Sequence, residues 1–227
     1  MDVRAFNRRV VPPLLGSGLL MAAYLLLRPY GDADGLGAGA ADAFASPLWV
    51  AAHVCGAAAL TLSVVVAHMV GGAAARGVGR FARVSGVLGI AMVLPYYGAE
   101  TFGLHAIGTA AQADPALVNL ADDVRNQPVA ITLFGIGLLL LAGCALTTAR
   151  AWQVSPSPAP RAAWAYGLLF ALLLPQFYLP PTGRMAYGVM CAVAAAGWAL
   201  AVRRTTRADA GAVPMARGKQ PSTLRVG

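Results

Sequence analysis

Acid is almost missing from the apolar stretches of this sequence. The chain has one glutamate, Glu100, and one lysine, Lys219, so arginine carries nearly all the positive charge. Charged residues make up 11% of the chain and hydrophobic ones 58%; that is too little charge to cover a soluble domain. Cys55, Cys144 and Cys191 share no close spacing, which argues against a zinc cluster or a redox pair and for buried thiols. The sequence holds no P-loop, dinucleotide fingerprint, nucleophile elbow or zincin motif, so the reaction classes built on them have no support. No internal repeat is visible.

Long apolar runs are what the chain does have. A bilayer's hydrocarbon core of about 30 Å takes roughly 20 helical residues. Six segments approach or exceed that length: Val10–Leu27, Pro47–Val70, Val84–Ala111, Pro128–Ala149, Ala162–Leu179 and Met185–Val202. Pro12 and Pro13 suit the first turn of the first helix. Arg8, Arg9 and the small residues Ala38–Ala40 resemble parts of a signal peptide. The apolar stretch is too long for one and Arg28 follows it, so a retained span is expected.

The arginines orient the chain. Arg4, Arg8 and Arg9, then Arg76, Arg80 and Arg83, then Arg150 and Arg161, then Arg203, Arg204 and Arg207 all fall on one side of a six-span arrangement. The opposite connections carry Asp32, Asp34 and Asp42, then Asp114, Asp122 and Asp123. The positive-inside rule places both termini in the cytoplasm. A formal net charge of +8 therefore reports membrane topology rather than nucleic-acid binding. Abundant alanine and glycine with arginine over lysine fit a GC-rich bacterial gene, hence an inner-membrane location.

The expected fold is an all-α integral membrane protein. It is a bundle of six transmembrane helices over residues 1–203, with a disordered basic cytoplasmic tail over 204–227. A short interfacial helix is expected between the third and fourth spans: Asp114 caps it, Pro115 opens it, and Leu117, Leu120 and Val124 share its apolar face. The Gly- and Ala-rich loop 31–46 is expected to be flexible. Small residues four apart, such as Ala52 and Gly56, favour close helix packing.

Polar side chains gather at one depth. At 1.5 Å per residue, His53 lies roughly 25 Å above the cytoplasmic end of its helix, Glu100 roughly 24 Å and Gln176 roughly 21 Å. His105 comes roughly 7 Å higher than Glu100. Tyr96, Tyr97 and Arg184 belong to the same outer half. A carboxylate at such depth is expensive unless neutral, paired or facing water, which makes Glu100 the first candidate site residue. Pro95 and Gly98 would disturb the helix just below it.

Four functions fit this pattern. His53 and His105 could ligate haem, or could join Glu100 in a two-histidine, one-carboxylate site for a divalent metal. Glu100 could titrate in a small proton-coupled transporter. It could act as a catalytic acid or base on a lipid-soluble substrate. It could also pair with Arg184 in a non-catalytic assembly protein. Tyr96, Tyr97, Gln176 and Arg184 would line the site. The partners expected are the lipid bilayer and a second copy or another membrane protein, with no nucleic acid.

Overall fold

In a computed structural model, residues 3–74, 76–154 and 159–211 are described, and among them the chain is helical with no strand. Helices α1 (Val3–Leu27), α2 (Ala38–Ala45), α3 (Pro47–Ala73) and α4 (Arg76–Gly98) come first. A π-helical turn, Ala99–Gly103, joins α4 to α5 (Leu104–Ala111). A 3-10 turn (Pro115–Asn119), α6 (Leu120–Arg125), α7 (Pro128–Val154), α8 (Pro160–Ala171), a second 3-10 turn (Pro175–Tyr178) and α9 (Pro181–Gly211) follow.

Five of these stretches are long and apolar enough to cross a membrane: Ala5–Leu27, Pro47–Ala73, Gly77–Ala111, Pro128–Val154 and Pro181–Arg204. The fifth expected segment, Ala162–Leu179, differs. Pro175 lacks the N–H that a continuing helix requires, and Ala162–Leu179 is divided into α8 and a 3-10 turn. Alone, the 12 residues of α8 reach about 18 Å. At the other end of the chain, Pro12 and Pro13 sit inside α1 rather than at its start. The carbonyls they leave free belong to Arg8 and Arg9, whose side chains are exposed, so solvent or headgroups can satisfy them.

The caps follow the local sequence. The Ser46 hydroxyl accepts from the Leu48 N–H with Pro47 in the first turn of α3. Asp114 accepts from the Ala116 N–H ahead of Pro115, and the chain is then helical in two pieces, a 3-10 turn over Pro115–Asn119 and α6 over Leu120–Arg125. Loop 31–46 is more ordered than its composition suggested. It holds α2, and Phe44 and Ala40 are fully buried against α5 and its neighbours. α9 runs on to Gly211, so residues 204–211 of the expected tail are helical, and 212–227 lie outside the described residues.

Packing alternates direction along the bundle. α1 packs on α3 and α9, and α4 on α7. Trp152 of α7 stands edge-on to Trp198 of α9, with ring centroids 5.0 Å apart. At the opposite end Ile131 and Phe134 of α7 share a cavity with Pro181 and Arg184 of α9. α7 and α9 therefore run parallel, and α8 with its 3-10 extension carries the chain back between them. Buried aromatic rings, including Tyr166 and Phe170, fill the Trp152 end.

Candidate functional site, an arginine-lined cavity

A cavity of about 740 Å³ opens at the end of the bundle where α1, α4, α7 and α9 meet their connecting segments. Four of the residues expected from the sequence line it together with Glu100: His53, Tyr96, Tyr97 and Arg184. Two do not. His105 donates from Nδ1 to the Phe44 carbonyl at 2.7 Å, tying the end of α2 to α5, and Gln176 is buried outside the cavity lining. The set His53, Glu100 and His105 is not brought together. Among the described residues, no three His, Cys, Asp or Glu side chains are grouped so as to hold a metal ion.

Glu100 sits on the π-helical turn. Pro95 breaks the regular ladder one turn below, and such wide turns often mark functional positions. The turn places the Glu100 carbonyl where Trp49 of α3 donates its indole N–H to it at 2.9 Å. The Glu100 carboxylate is met by Arg125, whose Nη2 lies 2.8 Å away and whose Nε reaches both oxygens at 3.2 and 3.3 Å. Arg125, not Arg184, is thus its partner. The same guanidinium lies 2.8 Å from Asp32, and Asp32 lies 2.7 Å from Arg28. The charges form one chain, Arg28–Asp32–Arg125–Glu100.

This chain explains how a carboxylate survives in an apolar run. Removing a charge from water costs several kcal/mol, and a close hydrogen-bonded countercharge offsets it. Burial alone would raise the Asp32 pKa, but Arg28 and the hydrogen bond from Arg125 outweigh it and hold the carboxyl below its usual range. Burial likewise opposes charge on Arg125, yet Glu100 and Asp32 keep it more firmly protonated than usual. One Asp32 oxygen, Oδ1, is buried without a hydrogen-bond partner.

Trp49 is the hinge of the arrangement. It is fully buried. The guanidinium of Arg28 lies 4.7 Å and that of Arg125 6.0 Å from its ring centre, each within cation–π range. His53, one helical turn along α3, is 4.3 Å from it, ring to ring. His53 Nδ1 lies 2.7 Å from the Trp49 carbonyl. A carbonyl can only accept, so Nδ1 carries the proton and Nε2 is the basic nitrogen. Tyr24 and Tyr97 pack around the same imidazole at 5.3 and 5.7 Å. Gly56 makes room for them, because a Cβ there would stand 2.1 Å from the Tyr97 hydroxyl.

Arg184 completes the wall without a carboxylate. It donates from Nε to the Leu179 carbonyl at 3.0 Å and from Nη2 to the Phe177 carbonyl. Among the described residues, three guanidinium groups therefore face two carboxylates in the cavity lining, leaving one positive charge uncompensated. Phe134 and Phe177 supply an apolar side, with centroids 5.9 Å apart, and the Tyr96 ring stacks on Phe134 at 4.4 Å.

Arg28, Asp32, Trp49 and Arg125 are not among the site residues that the sequence pattern singles out. A signal was available: under the positive-inside rule, arginines on the acidic side need a reason. The three there, Arg28, Arg125 and Arg184, all line this one cavity. Compared with family models, with curated protein sequences and with solved structures, the chain matches none.

Proposed function

We propose that the chain is an inner-membrane protein that crosses the bilayer six times and uses the arginine-lined cavity, at its outer end, to bind a small amphipathic monoanion. The ligand class is a carboxylate or phosphate diester with an aromatic or apolar body. The parallel course of α7 and α9 supports the sixth crossing, since α8 and its 3-10 extension must return the chain. The clusters of arginine at the other end support a cytoplasmic placement of both termini.

One observation carries the ligand class. All three arginines on the acidic side converge on one cavity, and the carboxylates neutralise only two of them. Among the described residues of the cavity lining, Arg184, whose partners are neutral carbonyls, is the positive charge left for an anionic head to meet, and low local dielectric strengthens that attraction. Phe134, Phe177 and Tyr96 face the apolar body. His53 Nε2 accepts a hydrogen bond from a ligand hydroxyl. Glu100, engaged through both oxygens by Arg125, acts by fixing that guanidinium, and binding rather than proton transfer is its task.

The test is calorimetry and thermal unfolding of the detergent-purified protein with three probes of matched size: an aryl carboxylate, a dialkyl phosphate and a neutral alcohol. The anions should bind and raise the unfolding temperature while the alcohol does not, and Arg184→Gln should weaken anion binding about tenfold or more. Equal effects of alcohol and anions, or unchanged binding by Arg184→Gln, would overturn the proposal.

A further inference from the structure

A second concave site lies at the opposite end of the bundle, between α3 and α4. It is a groove of about 430 Å³ lined by His68, Arg80, Arg83, Val84, Val87 and Leu88. The sequence builds it in two steps. First, Gly71 and Gly79 let the two helices approach closely: a Cβ on Gly79 would stand 2.1 Å from the Gly71 carbonyl oxygen. That contact sets His68, one turn before Gly71, beside Arg80 and Arg83. Second, positions 80, 83, 84, 87 and 88 follow the three- and four-residue spacing that puts side chains on one helix face. The face therefore changes along its length, from two arginines to three aliphatic residues.

Both halves of this face are unmet. Val84, Val87 and Leu88 remain about half exposed, which is ordinary for side chains that touch lipid. Among the described residues no carboxylate lines the groove; the acidic residues between positions 32 and 123 all belong to the other end of the bundle. The Arg83 Nε is buried and has no hydrogen-bond partner among the described residues, so an arginine of the groove keeps an unused donor out of water. A buried donor without an acceptor is costly. What completes the site must bring an anionic oxygen and, continuous with it, an apolar chain.

We propose that this groove is a specific site for an anionic glycerophospholipid of the inner leaflet. The headgroup phosphate is held by Arg80 and Arg83, with His68 at its edge, and one acyl chain lies along Val84, Val87 and Leu88. Guanidinium groups suit phosphate because their planar donors meet two oxygens at once. An anionic headgroup matches a cluster carrying two positive charges better than a zwitterionic one does, because the choline of the latter would bring its own cation against the arginines. The proposal rests on the membrane placement given above, but not on the outer cavity or its ligand.

The experiment is native mass spectrometry of the detergent-purified protein titrated with phosphatidylglycerol or with phosphatidylcholine of the same acyl chains, alongside thermal unfolding with each lipid and with inorganic phosphate. Wild type should retain phosphatidylglycerol in preference to phosphatidylcholine. Arg80→Gln/Arg83→Gln should reduce that retention about tenfold or more while leaving the weak phosphatidylcholine signal unchanged. Arg184→Gln, which alters only the outer cavity, should retain phosphatidylglycerol as wild type does, so failure of the outer-site proposal would be distinguishable. Should the double variant not fold, Leu88→Trp fills the apolar floor and should lower phosphatidylglycerol retention by blocking the chain. Equal retention of the two lipids by wild type would overturn the proposal. So would stabilisation reproduced by inorganic phosphate alone, or unchanged retention by a folded groove variant.

Discussion

Replacing Arg125 by leucine strikes the one guanidinium that both carboxylates of the cavity share. Asp32 would keep Arg28 at 2.7 Å, but Glu100 would lose the ion pair that Arg125 provides. The Glu100 side chain is 16% exposed, so water replaces little of what is lost. Breaking a buried pair from one side costs about 3–5 kcal/mol, and the residual exposure favours the lower end. At about 2–4 °C per kcal/mol for a chain of this size, the unfolding temperature should drop by about 6–12 °C. The double variant Arg125→Leu/Glu100→Leu removes the orphaned charge along with its partner and should recover most of the loss. The assay is thermal unfolding in detergent followed by tryptophan fluorescence, to which Trp49 inside the site contributes. If the double variant is as unstable as Arg125→Leu alone, the cost does not come from an uncompensated carboxylate and the electrostatic account of Glu100 is wrong.

Asp32 gives a pH signature: its carboxyl is held below the usual aspartate value of 3.8, so its stabilisation should be complete above that value and lost as the pH falls through the lowered one. Asp32→Asn should flatten that acid limb of a stability-against-pH curve, and an unchanged limb would contradict the assignment. Gly56→Ala would push a methyl group to 2.1 Å from the Tyr97 hydroxyl; it should cost about 1–3 kcal/mol and weaken anion binding by displacing the rings around His53, whereas wild-type affinity would show that this wall is not used. For orientation, cysteines placed at positions 34 and 122 should react with an impermeant label from outside intact cells, and one at position 80 only after permeabilisation. The reverse labelling would invert the topology and both proposals that depend on it.

The fold was largely legible because its signals are local. Hydropathy accumulates along each run, so five long apolar helices lie where the sequence put them. The Asp114 cap and the helical character of the following segment were likewise readable, because a cap needs only residues two or three apart. Helical rise alone matched His53 and Glu100 in depth, and both line one cavity. The departures arise where a local rule met a distant contact. α2 forms in a loop read as flexible because Phe44 finds burial against residues far along the chain. Pro175 divides the expected fifth span, which returns the chain in two pieces between α7 and α9.

The candidate site was legible only in outline. Position along the chain is enough to show that a glutamate lies within an apolar run and that some compensation must exist, since solvation cost depends on depth and depth follows from position along a helix. It could not say which group compensates. Arg28 and Asp32 are four residues apart at a helix end and the turn after it, but Trp49 and Arg125 lie 25 to 93 residues from the partners they meet, and no periodicity links such positions. Only the packing of the helices decides which of the available arginines arrives within hydrogen-bonding distance of Glu100. A charge pair is worth little at long range in water and more at 2.8 Å in a partly buried crevice, so the tertiary structure, by fixing that distance, turned an isolated acid into a four-membered chain of charge and, among the described residues of that cavity, left Arg184 as the cation without a countercharge.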